Sequence, residues 1–93
     1  MAIRSFGDDE TERLFRSGRS RRWNAIAKVA LRKLDMLDAA VALTDLRAPP
    51  GNRLEALSGT LAGLYSVRIN DQFRLCFRWT EEGPADVHIV DYH

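Results

Sequence analysis

A chain of 93 residues has room for one domain, residues 1–93, and one core. Its 45% hydrophobic and 29% charged residues exclude a disordered tail, and no apolar run approaches the roughly 20 residues of a membrane span. Net charge is only +1, yet Lys28 and Lys33 are the only lysines among 14 basic residues, and arginine's planar fork is the better match to phosphates and to base faces.

Taken in chain order, Ile3–Phe6 alternates apolar and polar and predicts a short edge strand. Asp8 and Asp9 open a first helix, with Glu10 and Glu12 in its acidic first turn and Gly18 at its end. A second, longer helix is expected from Ser20 or Arg21. Trp23, Ile26, Ala27, Ala30, Leu31, Leu34 and Leu37 recur along it at steps of three and four and form its core stripe. Asp38 is a candidate cap for a continuation through Ala39–Leu46, and Pro49-Pro50-Gly51 stops anything helical.

The period then changes to two. Tyr65–Ile69, Phe73–Trp79 and Ala85–Ile89 read as three half-buried strands, so the expected class is α+β, helices packed on one face of an antiparallel sheet. Because apolar residues must share the core face, the loops must be odd: Asn70-Asp71-Gln72 with Ile69 opposite Phe73, and Thr80–Pro84 with Trp79 opposite Ala85.

That register sets Arg68 opposite Arg74 on the face away from the core, Cys76 opposite His88, Arg78 against Asp86, and Tyr92 diagonal to Arg74. Like charges directly opposed destabilise a sheet by up to about 1 kcal/mol, so the arginine pair needs water or an anion. Two readings stand: a phosphate-binding patch with an aromatic beside it, or a solvated sheet face. The sequence closes on Asp91-Tyr92-His93, an acid, a phenol and an imidazole suited to proton transfer, although strict alternation puts Asp91 and His93 on the face opposite Tyr92. His88 and His93 are the only histidines, and no cysteine cluster or zinc motif is present, so neither metal nor cofactor is expected. Cys76 is the single cysteine and Met1–Gly7 lacks the apolar stretch of a signal peptide; the cytoplasm is the expected location.

Several of these segments resemble one family. Pro49–Gly59, the hairpin Tyr65–Phe77, the ending Val90-Asp91-Tyr92-His93 and the opening Ile3-Arg4-Ser5-Phe6 are together similar to HigB-type toxins of the RelE superfamily, especially the GraT-like branch. The resemblance implies a RelE-like microbial-ribonuclease fold with N-terminal helices on a curved antiparallel sheet. It implies a toxin of a type II toxin–antitoxin system that cuts messenger RNA in the ribosomal A site, by attack of the ribose 2′-hydroxyl and without a metal. Implied partners are that messenger RNA, ribosomal RNA, and a HigA-type helix-turn-helix antitoxin that links the toxin to operator DNA.

By the same resemblance, Arg74 and Arg68 would clamp the scissile phosphate, Tyr92 would stack on or orient a nucleotide, and His93 with Asp91 would be the proton-transfer pair. Arg53, Arg78 and Asn70 complete the candidate RNA contacts. Some members carry a histidine before the sheet where this chain has Glu55, which is open as a general base or as a surface acid. An unshifted glutamate is the poorer proton acceptor near neutral pH, so slow cleavage is expected. Arg21, Arg22, Lys28, Arg32 and Lys33 are either ribosomal RNA contacts or a solvated helix face. The rival functions are a non-catalytic ribosome- or RNA-binding module and a degenerate toxin that only binds its antitoxin.

Overall fold

The computed structural model describes residues 2–91. Two α-helices, α1 (Asp9–Ser17) and α2 (Ala27–Ala39), pack on a four-stranded sheet of β1 (Glu55–Ala56), β2 (Tyr65–Arg68), β3 (Phe73–Thr80) and β4 (Gly83–Asp91). The strands lie in the order β1-β2-β3-β4, every pair antiparallel. The α+β expectation holds.

Local chemistry explains the ends of α1. The Asp8 carboxylate accepts from Thr11 N at 2.6 Å, and Gly18, at φ 76°, returns its N–H to Leu14 O at 2.8 Å. A left-handed residue costs glycine nothing, so the helix stops there. Thr11, fully buried, also fastens the helix to the sheet: its Oγ1 accepts the Ile89 N–H at 3.2 Å.

α2 starts later than its stripe suggested. Ser20 Oγ accepts from Trp23 N at 3.2 Å, closing a separate turn, and Asn24–Ile26 winds as a 3-10 turn before the α-helix begins at Ala27. Trp23 still reaches the core, edge-on to Phe73 with ring centroids 5.4 Å apart. Asp38 is no cap. It lies inside α2 and accepts from Ile3 N at 2.9 Å, while Asp45 takes the N–H groups of Val41 and Ala42 at the head of a 3-10 turn over Leu43–Arg47.

Leu14, Leu34, Leu37, Leu46, Val67, Leu75, Phe77 and Val87 form the fully buried centre between helices and sheet. On β2 and β3 the predicted register holds, with Val67 opposite Leu75 and Arg68 opposite Arg74. At the second hairpin it does not. The loop is the pair Glu81-Glu82, and Trp79 faces Pro84 rather than Ala85. An extra β4 residue near Asp86, itself at φ 53°, then restores the pairing of Cys76 with His88. This is a β-bulge, and aspartate tolerates the left-handed conformation better than most residues.

Ile3–Phe6 forms no full strand. It runs parallel to β4 through one bridge, Phe6 with Val87, and through Arg4 N to Pro84 O (2.7 Å), Val87 N to Ser5 O (3.1 Å) and Gly7 N to Val87 O (2.8 Å). Ser5 Oγ takes the Asp86 N–H at 2.8 Å, so the segment also occupies the bulge. β1 was not foreseen: two exposed residues carry no period for sequence analysis to detect.

Candidate nucleic-acid interface

The face of the sheet away from the helices carries two adjoining rows of side chains. Glu55, Ser66, Cys76 and His88 are cross-strand neighbours over all four strands, and beside them run Arg68, Arg74 and Val90.

Arg68 and Arg74 stand directly opposite, as expected, and each has a carboxylate. Arg68 pairs with Asp71 in the hairpin loop, whose side chain is 98% exposed. Arg74 reaches diagonally across β2 to β1, with Nη1 3.7 Å from Glu55 Oε1 and 3.5 Å from the carbonyl oxygen of Arg53. Only 12% of the Arg74 side chain is exposed, against 32% for Arg68. Arg53 sits at φ 46° at the end of the Pro50–Asn52 turn, which delivers its carbonyl to Arg74. Glu55, Arg68, Arg74 and the backbone of Arg53 are thus gathered in one place.

The other candidates lie apart. Asn70 holds the hairpin, accepting from Gln72 N (2.9 Å) and Phe73 N (2.7 Å). Arg78, four residues along β3 from Arg74 and therefore ~14 Å away, donates through Nε to Asp86 at 2.6 Å. That hydrogen bond holds the Asp86 carboxyl below its ordinary range, against a smaller opposing effect of desolvation. Asp91 is opposite Phe73, on the helix side, and its carboxylate accepts from Gln72 Nε2 at 3.1 Å. Tyr92 and His93 lie outside the described residues.

Residues beyond the arginines also shape this part of the molecule, and of these Ser66 and Gly7 were not foreseen. Ser66 has no exposed surface, and its hydroxyl has no hydrogen-bond partner among the described residues. Burial pushes the Cys76 thiol up to about 11, with Arg74 pulling the other way. His88 Nδ1 lies 2.6 Å from the Asp86 carbonyl oxygen, which only accepts, so Nδ1 carries the hydrogen. Gly7 gives the ring its space, since a Cβ there would come within 2.8 Å of Nδ1. Lys33 leaves its helix to bond the buried Asn52, and its pKa is lowered by burial first and then by Arg32 and Arg68. A basic concavity of about 590 Å³ lies between α1 and the segment that follows it and is lined by Arg13, Ser17, Arg19, Ser20, Arg21 and Asn24.

Helices on one face of an antiparallel sheet, with arginines gathered on the other, are the arrangement of a RelE-like toxin. Residues 4–93 match the family described as RelE-like toxin of type II toxin-antitoxin system HigB, and the chain belongs to that family. It is 46% identical to Toxin HigB-1 of Vibrio cholerae over 88 residues, covering 95% of this chain and 84% of that one. It is 40% identical over 86 residues to an uncharacterized protein of Haemophilus influenzae, covering 90% of this chain and 85% of the other. A type II toxin has an antitoxin as its partner. Among the described residues no helix is long and apolar enough to cross a membrane.

Proposed function

We propose that this toxin is an endoribonuclease that cuts messenger RNA in the ribosomal A site and so arrests translation. The observation that carries the reading is the mostly buried Arg74 side chain on the sheet face away from the helices, with Arg68 directly opposite and the Arg53 backbone beside it. A guanidinium held on a strand is pre-aimed, and its bidentate fork suits a phosphate gaining negative charge in the transition state. Arg68 and Arg53 add phosphate contacts.

The chemistry needs no metal. The ribose 2′-oxygen attacks phosphorus, one residue takes its proton, the bond to the 5′-oxygen breaks, and a second residue protonates that leaving oxygen. Tyr92, stacking on a nucleotide, and His93 with Asp91, as the proton-transfer pair, are carried from the family ending. The antitoxin is a HigA-type helix-turn-helix protein that connects the toxin to operator DNA, and the site of action is the cytoplasm.

Primer-extension mapping of a ribosome-bound messenger tests this. Cuts by wild type that require ribosomes, and that vanish both in Arg74→Ala and in a chain lacking Tyr92 and His93, are expected. Ribosome binding without any cut would instead identify a non-catalytic binder.

A further inference from the structure

Glu55 and Ser66 are direct cross-strand neighbours, yet among the described residues the Ser66 hydroxyl has no hydrogen-bond partner, and the Glu55 carboxylate faces Arg74 instead. A fully buried hydroxyl without a partner is disfavoured and calls for an explanation. The Glu55–Arg74 pair is loose, with 3.7 Å between the charged atoms and Glu55 46% exposed. With Glu55 half exposed, solvent screens the pair, which holds by a factor of only about two to five. A carboxylate and a phosphate oxygen present the same acceptor to a guanidinium, so they compete for one edge of Arg74.

We propose that Glu55 is a positioning residue, an internal counter-ion that fills the phosphate seat on Arg74 in the free toxin and, when RNA arrives, yields it and turns onto the Ser66 hydroxyl. The inference rests on the reading of Arg74 as a phosphate clamp. In the free protein Arg74 is neutralised and Ser66 is left over. In the bound one Arg74 holds phosphate, Ser66 donates to Glu55, and the buried hydroxyl is satisfied. The register supports the exchange, because Ser66 sits on β2 directly between Glu55 on β1 and Cys76, the neighbour of Arg74 on this face of β3. Glu55 thereby weakens RNA binding by its charge, and Ser66 offsets part of that weakening.

The test measures the Kd of a short 2′-O-methyl RNA, which cannot be cut by 2′-hydroxyl attack, with urea midpoints confirming that each variant folds. Glu55→Gln and Glu55→Ala are expected to bind about two- to five-fold tighter than wild type. Ser66→Ala is expected to weaken wild-type binding about two-fold or more, to leave the urea midpoint of the free protein unlowered, and to have no effect once Glu55 is already Ala. Unchanged binding in Glu55→Gln overturns the proposal, as does a Ser66→Ala effect that persists in the Glu55→Ala background. Loss of cleavage in Glu55→Gln with unchanged RNA affinity overturns it too, and assigns Glu55 as a base. Because the RNA is uncuttable, a toxin that binds as expected but cuts no messenger sinks the nuclease reading alone.

Discussion

Asn52 takes the Lys33 ammonium on its side-chain oxygen at 2.5 Å and gives its amide hydrogens to Leu46 O and Ala48 O, each at 3.1 Å, with none of its own surface exposed. One side chain thus ties α2 to the segment that delivers Arg53 and β1 to the open face. Asn52→Ala strands two carbonyls and a partly buried ammonium, at a cost of about 2–3 kcal/mol. Lys33→Met loses only one of these bonds and is expected to cost less. Urea unfolding at neutral pH checks both, and an Asn52→Ala change below about 0.5 kcal/mol, the level of an ordinary surface substitution, would show that the tie is dispensable.

Asp86 supplies a pH-dependent contribution through Arg78. Its carboxyl is held below the ordinary range, chiefly by the Arg78 hydrogen bond, so the folded state resists its protonation. The resulting stability is present above the unfolded value of about 4 and disappears as pH falls through the lower folded value. Arg78→Ala should therefore be less stable than wild type at neutral pH, and the difference should close in acid. Both side chains are about half exposed, so the effect is small and screened by salt. Urea midpoints from neutral pH downwards measure it; a gap that widens in acid contradicts the assignment.

These two examples mark what the sequence could and could not convey. Period-two alternation paired Val67 with Leu75 and Arg68 with Arg74, because only one parity buries both apolar sets. Nothing in the composition announced that Asp86 would enter a left-handed conformation and shift the outer hairpin by one residue. The stripe from Trp23 to Leu37 concealed the late start of α2, since a turn and a 3-10 segment still send Trp23 inward. The arginines of the open face were legible by parity alone. Glu55 as the partner of Arg74 was not, because a two-residue strand with exposed side chains leaves no periodic trace.

Cys76 should behave as an inert thiol. It is 2% exposed, and burial raises it to about 11. At about pH 8 this rise from 9.0 leaves the thiolate fraction roughly 100-fold below that of an ordinary cysteine, before any steric protection. Reaction with a thiol-specific chromogenic disulfide should be slower than this in the folded protein and fast in denaturant. Rapid labelling without denaturant would mean that the sheet face opens readily around Arg74, and that its low exposure does not persist in solution.

The extent of the proposed RNA track along β3 can be read from salt dependence. Each phosphate contact to a single strand contributes about 0.7 to the slope of log K against log salt. Arg74→Ala and Arg68→Ala should each lower that slope by about this amount for a short 2′-O-methyl RNA. On the proposed reading Arg74 would exchange a loose 3.7 Å carboxylate for phosphate, whereas Arg68 would give up Asp71, a solvated loop acid. Arg78 is in another position: its partner is 2.6 Å away, on a bulge that Ser5 braces through the Asp86 N–H. Arg78→Ala should leave the slope unchanged, confining the track to the end of the sheet where β1, β2 and β3 meet. An equal drop for Arg78→Ala would instead extend the track along the whole of β3, and RNA would then have to displace Asp86 as well.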